Sequence, residues 1–461
     1  MVLPLALLMV TFARASDGDL DPSFGIAGVA YAGIADASSY SGMSMQPDGK
    51  VLACGTHATG NDHDFLVVRF LADGSPDTAF GTNGRVSIAF DHSPYSGYDQ
   101  CSSLAVQPDG KIVAAGSTKW NIGPAIIGLF AVARLTVDGT LDPSFGEGGT
   151  ATAVGTQALI SVAEAGSVAL QTDGRIVVGG QLMATEGGPL YRFALARFTA
   201  NGMLDPSFNG TGWTEISAIS FPQSDAMAAA VALDAQARIV IAGSNPHDAE
   251  SNANSDFAVA RVLPNGALDA SFGQAGRTLV AFDAGGSGSG SDIAYGLAID
   301  HAGRTVVVGM ADTSSTTTPN YDVAVARLLD DGSPDAAFGD AGKVRVAFDS
   351  VPAGMDFARA VVVQADGKLV LAGAAQGASS RVPLLARLAD DGSLDPDFGD
   401  GGRKILHIGT DPEIGTINRA ALAGDRLFVS GVEKTAASAF DYFVARVSIT
   451  LEDPIFADGF E

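Results

Sequence analysis

Apolar residues along this chain come in short runs bounded by Gly, Pro, Asp or Asn. One stretch shows the pattern fully. Ser103-Leu104-Ala105-Val106-Gln107 is followed by Lys111-Ile112-Val113-Ala114-Ala115-Gly116, by Phe130-Ala131-Val132-Ala133-Arg134-Leu135, and by Thr150-Ala151-Thr152-Ala153-Val154. Runs of this length, rich in Val, Ile, Ala and Phe, predict four strands, A to D. Pro108-Asp109-Gly110 joins A to B as a tight hairpin turn. C and D are joined by Leu141-Asp142-Pro143-Ser144-Phe145-Gly146-Glu147-Gly148-Gly149. There Asp142 caps a short helical turn that Pro143 opens.

The whole pattern repeats. Asp-x-x-Phe, with a glycine four residues after the Phe, places Phe24, Phe80, Phe145, Phe208, Phe272, Phe338 and Phe398 at gaps of 56 to 66 residues. A unit of four antiparallel strands cannot bury both faces alone, so neighbouring units must stack. The expected fold is all-β: a seven-bladed β-propeller with four antiparallel strands per blade. The chain opens on a D-type run, Val29-Ala30-Tyr31-Ala32, and its last repeat run is C-type, Tyr442-Phe443-Val444-Ala445-Arg446-Val447. That order predicts a one-plus-three clasp closing the ring. An open β-solenoid is the alternative.

Gln-Pro-Asp-Gly-Lys, a Val/Ile-rich strand ending in Ala-Gly, Phe-x-Val-x-Arg-Leu, and Asp-Gly-x-Leu-Asp-x-x-Phe-Gly-x-x-Gly together resemble the delta-sixty repeat family over residues 17–447. The resemblance implies a bacterial β-propeller in exported or surface proteins, and no established activity. The segment Ile455 to Glu461 is similar to C-terminal tails of other exported proteins of Gram-negative bacteria, so the expected place is outside the cell, on its surface or in the periplasm of such a bacterium.

Charge narrows the partners. With 27 Lys and Arg against 52 Asp and Glu, the net charge is -25. Such a surface repels phosphate backbones, so nucleic acid is not an expected partner. Residues 1–15 read as a signal peptide: an apolar run, Val2 to Phe12, then Ala13-Arg14-Ala15 as the cleavage site, though no basic residue precedes the run. No later run approaches the roughly 18 apolar residues of a membrane helix. The expected division is therefore signal peptide 1–15, propeller 16–448 and an acidic, aromatic tail 449–461. The expected product is a monomer with an unidentified protein or glycan partner.

Residues present in every unit read as structural. The strand C arginines Arg69, Arg134, Arg197, Arg261, Arg327, Arg387 and Arg446 need partners for a charge on an apolar strand. The Asp eight residues after Arg134 is a natural one. The seven Phe residues read as plugs between blades. Cys54 and Cys101 begin or end strands at one rim, and either bridge adjacent blades or remain two core thiols.

Symmetry-breaking residues carry the functional expectations. D–A and B–C connections vary and share one end of the ring, where binding usually resides. His57, Asp62, His63, Asp64 and His92 are the densest group of metal or proton-transfer candidates. Trp120, Tyr95, Tyr98, Tyr191 and Tyr321 are candidate stacking platforms. Asp17, Asp19 and Asp21 alternate as in a calcium loop but lack its other ligands; no other cofactor is implied, and no P-loop or dinucleotide fingerprint occurs. The inner ends of the A strands read as Ser, Ala and Gly. The expectation is an exported, non-catalytic scaffold binding a ligand or protein on its variable loops. A metal-dependent propeller hydrolase or lactonase is the alternative, and a purely structural surface protein a third.

Overall fold

The structure is a computed structural model that describes residues 16–33, 37–59, 62–90, 97–122, 125–153, 160–184, 190–217, 227–246, 255–282, 290–314, 320–348, 354–378, 380–408, 415–434 and 440–449. The expected signal peptide, the tail beyond Ile449, His92 and Tyr95 lie outside these residues.

Among the described residues every regular element is a β-strand. Each unit carries one of the repeated Phe residues. In the Phe208 unit, Ile160–Leu170, Ile176–Ala184, Leu190–Phe198 and Trp213–Ile216 pair in sequence order as an antiparallel sheet. The Phe272, Phe338 and Phe398 units repeat that order. The Phe80 and Phe145 units form one eight-stranded sheet, joined by a single parallel bridge from His63 to Tyr98. In the Phe24 unit, Val29–Tyr31 pairs with Phe440–Ser448, Val29 lying opposite Ala445. The chain's first strand thus completes the sheet of its last. First strands of successive units pack together, and the last, Gly415–Ala423, packs on the first, Ala37–Met45.

Every repeated Phe is fully buried. Phe145 shares a core with Val113 and Phe130 of its own unit and Ala163 and Ile176 of the next. It is therefore the plug its spacing suggests, and burying such a ring contributes roughly 1.5–3 kcal/mol. The turn that delivers it is tight. Ser144 N donates to Asp142 Oδ1 at 3.0 Å, and Gly146 sits at φ 53°, where an added Cβ would overlap the Thr150 carbonyl.

The strand C arginines tie each unit to the next. Arg134 Nε donates to Asp142 Oδ2 at 2.9 Å, its Nη1 to the Ala200 carbonyl of the following unit, and its guanidinium lies 4.7 Å from the Phe145 ring centroid. Gly146 N adds a bond to Asn201 O at 2.8 Å. Equivalent pairs join Arg69 to Asp77, Arg197 to Asp205, Arg261 to Asp269, Arg327 to Asp335 and Arg387 to Asp395. The chain ends use the same device. Arg446 pairs with Asp21 at 3.0 Å and reaches Ala72 O at 2.9 Å, while Arg387 reaches Asp17 at 2.6 Å.

Each of these aspartates has a second cation, which the sequence reading missed. Lys111 lies 2.9 Å from Asp142, and Lys50, Arg175, Arg238, Arg304, Lys368 and Arg426 take the same place in the other units. The signal was visible: a basic residue follows each A–B turn. About half of the chain's 27 Lys and Arg are spent on this clamp.

Strands reach far into the first two B–C connections, which read as variable loops: Val51–Thr59 and Asp62–Phe70 in one unit, Ile112–Ile122 and Ala125–Leu135 in the next. Polar side chains there continue the ladder instead of ending it, because the ladder bonds are backbone bonds.

Cys54 and Cys101 form a disulfide between the Phe80 and Phe145 units. They are 47 residues apart, so reduction is expected to cost about 4 kcal/mol by loop-closure entropy. Urea unfolding with and without a reductant measures it; coincident midpoints would mean the bridge adds nothing to the packed interface.

Candidate functional site

The inner strands share an irregularity. Register shifts fall between Cys101 and Ser103, Ala165 and Ser167, Ala294 and Gly296, Ala358 and Ala360, and Ile417 and Arg419. The extra residues are Ser102, Gly166, Tyr295, Arg359 and Asn418. A bulge leaves one residue out of the ladder and re-aims its side chain and carbonyl. The first strands of successive units pack against one another, so the bulges gather these groups where those strands meet.

Arg419 uses the freed carbonyls. Its Nη2 donates to Ser102 O at 2.9 Å and Gly166 O at 3.1 Å, and its Nη1 to Asn418 O at 2.9 Å. Arg359 Nη1 donates to Asn418 Oδ1 at 2.7 Å. Its guanidinium lies 5.2 Å from the Phe357 centroid and 5.6 Å from that of Tyr295. The two rings meet edge-on at 5.8 Å. Exposed Arg381 covers Phe357 at 5.1 Å and donates to Met355 Sδ at 3.3 Å. Tyr321 closes the rim: its amide donates to Gly354 O, and its carbonyl accepts from Asp356 N. Burial, then the charges of Asp312 and Asp292, push its phenol up, so it stays a proton donor at neutral pH.

None of Arg359, Arg381 and Arg419 takes part in the repeated clamp. In a chain of net charge -25 they form a local basic group beside half-buried Tyr295 and buried Phe357, called the mouth below, on the side of the B–C and D–A connections. Sequence reasoning put only Tyr321 here.

The other expected site residues are dispersed. His57 and Asp64 stand opposite each other in the Val51–Thr59 ladder. His63 projects from the other face of its strand and stacks on Tyr98 at 4.3 Å. Asp64 accepts from Ser87 Oγ at 2.9 Å, and Asp62 from the His63 amide at 3.1 Å. Alternation along one strand keeps 63 from 62 and 64; among the described residues no three His, Cys, Asp or Glu are grouped to hold a metal ion. Trp120 Nε1 donates to Phe90 O at 3.1 Å, and Tyr191 is half-buried in its strand. Asp17, Asp19 and Asp21 face three different cations, Arg387, Lys404 and Arg446. A 690 Å3 cleft lined by Gly273, Arg277, Asp331 and Gly332 lies on the opposite side, among the repeated turns. No described helix is long and apolar enough to cross a membrane.

Residues 46–80, 107–145, 171–208, 238–272 and 364–398 match the family model described as a domain of unknown function (DUF5122) beta-propeller. Each match ends on a repeated Phe. These five segments are similar to β-propeller repeats of unknown function. No curated protein matches the chain. Among solved structures, the propeller is similar to a protein of unknown function from Dyadobacter fermentans, at 12% identity, covering 92% of this chain and 100% of that one, with a TM-score of 0.45. Polysaccharide lyase Uly1 has 10% identity, coverages of 96% and 94%, and a TM-score of 0.47. An α-L-arabinanase from Penicillium chrysogenum has 11%, 92% and 98%, and 0.41.

The expectation of a non-catalytic scaffold is corrected here. Similar structures include glycan-cleaving enzymes. The inner strands also carry Tyr295, Arg359, Asn418 and Arg419 among their mostly Ser, Ala and Gly residues. Bulges turned these residues inward, which strict alternation hides.

Proposed function

We propose that the protein acts on an acidic carbohydrate at the basic, aromatic mouth of a closed seven-bladed ring. The observation that carries this reading is the placement of Arg359 and Arg381 over Phe357 and Tyr295. A guanidinium matches a carboxylate or sulfate in fork geometry. Aromatic faces offer flat apolar surface beside it, and Tyr321 is a proton donor at the rim. Closure and the count of seven are supported by the arginine clamps, which run from unit to unit and return through Arg446 to Ala72. The proposed unit is residues 16–448, in keeping with the delta-sixty resemblance. Export is supported by the disulfide, which suits an oxidising compartment, and by the apolar run ahead of Ala13-Arg14-Ala15.

Purified protein should bind polyuronate or sulfated polysaccharide in affinity electrophoresis and release new ends from it, with neutral arabinan untouched. R359A/R381A should weaken binding roughly 10–100-fold, the loss of charge-assisted hydrogen bonds, while R381A alone, at an exposed position, should weaken it less and leave the melting temperature unchanged. Equal handling of neutral arabinan, or no binding of any acidic polymer, overturns the reading. Binding without new ends overturns its catalytic part.

A further inference from the structure

The channel below this mouth is spanned. Arg419 projects from the Phe24 unit, and the carbonyls it reaches belong to the Phe145 and Phe208 units on the far wall. A planar guanidinium held by three carbonyls is a rigid crossbar. With this crossbar as its floor, the mouth is treated as a cup.

The floor of that cup has an unused donor. Asn418 is 1% exposed. Its Oδ1 accepts from Arg359 and its main-chain oxygen from Arg419, yet its Nδ2 has no hydrogen-bond partner. A buried donor left unpaired is costly, and an acceptor that reaches it is favoured accordingly. Beside it stand two guanidinium ions, donors like the amide NH2, and the carbonyls of Ser102, Gly166 and Asn418, which Arg419 occupies. The acceptor these donors suit is a carboxylate, which accepts several bonds at once.

Resting on the acidic-carbohydrate reading above, we infer that the site takes a chain end, with the carboxylate of the terminal sugar bound by Asn418, Arg359 and Arg419. Half-buried Tyr295 then flanks that sugar, and Arg381 meets the next unit at the rim. The carboxylate reaches the Asn418 amide by displacing the long Arg359 side chain from above it, which remains as its ion pair. Asn418 and Arg419 determine specificity for an end over a mid-chain segment.

The test uses the full-length protein and oligouronides of one length, with the terminal carboxyl free or methyl-esterified, titrated calorimetrically. Esterifying that one group should weaken binding about 10- to 100-fold. N418D, which sets a like charge against the ligand, should weaken the free-ended oligomer by a similar factor and leave the esterified one nearly unchanged. Melting curves show that the variant is folded, and the esterified ligand tests the idea without any variant. Equal binding of free and esterified oligomers by the wild type overturns this inference alone. Failure to bind any acidic oligomer or polymer overturns the parent reading as well. A sulfated end bound more tightly than a carboxylate end overturns the choice of carboxylate.

Discussion

Replacing Arg327 with Ala is expected to lower the unfolding free energy by about 3–5 kcal/mol, the usual cost of removing one member of a buried ion pair. Its side chain is 1% exposed. Nε lies 2.8 Å from Asp335, Nη1 reaches Asp390 O at 2.6 Å in the next unit, and the guanidinium lies 4.3 Å from the Phe338 centroid. The substitution removes an ion pair, a link between units and a cation–π contact together. It also leaves the Asp335 carboxylate buried beside a gap. Arg304, 3.5 Å from that carboxylate, offsets part of the loss, so the lower end of the range is favoured. D335N alone should also destabilise. In R327A/D335N the two losses should fall short of additive, because they share one interaction. Urea unfolding of the four proteins measures this. A loss below about 1 kcal/mol in R327A would show that the clamp does not hold neighbouring units together.

Acid should destabilise the protein steeply and early. Burial alone would raise the clamp carboxyls. For Asp142 the Ser144 hydroxyl and amide, Lys111 and Arg134 more than reverse that, and its carboxyl stays well below the usual range. Asp21, Asp77, Asp205, Asp269 and Asp395 are lowered as well, each by its own Arg and by hydrogen bonds that outweigh burial. A depressed folded-state pKa means that the unfolded chain binds protons first. Its stability contribution is complete above the unfolded value of 3.8 and is lost as pH falls through the folded value. Repetition makes the losses sum. The melting temperature should be nearly flat from about pH 8 to 5 and fall steeply from about pH 4 downward. A melting temperature at pH 3 equal to that at pH 6 would contradict this. Added salt should change little at neutral pH, since the paired groups are largely buried and screening acts mainly on exposed charges.

The histidines show the limit of spacing as a guide. Asp62, His63 and Asp64 look like a cluster along the sequence. A strand sends alternate side chains to opposite faces, so His63 meets Tyr98 instead of its neighbours. The channel group shows the reverse. Tyr295, Arg359 and Asn418 lie more than 58 residues apart along the chain, and no motif links them. Extra residues in the inner strands shift the face on which the following side chains fall. A bulge has no dependable signature in a Val- and Ala-rich run, so the inner ends read as Ser, Ala and Gly.

What could be read along the chain was whatever repeats or acts over a short distance. Strand lengths follow from the apolar runs, turns from Pro-Asp-Gly, and units from Asp-x-x-Phe. The Arg–Asp pairing follows from eight residues of spacing, and the pairing of first and last strands from the D-to-C order. These are local or periodic, and each copy restates the same physics. The second cation on each clamp was equally legible and went unread because it stands far from its Asp along the chain. The disulfide needed the stacking of two units to choose between bonded and free thiols. The mouth needed the stacking of several units. Its residues come from different units, and only tertiary packing brings Arg419 across to Ser102 and Gly166.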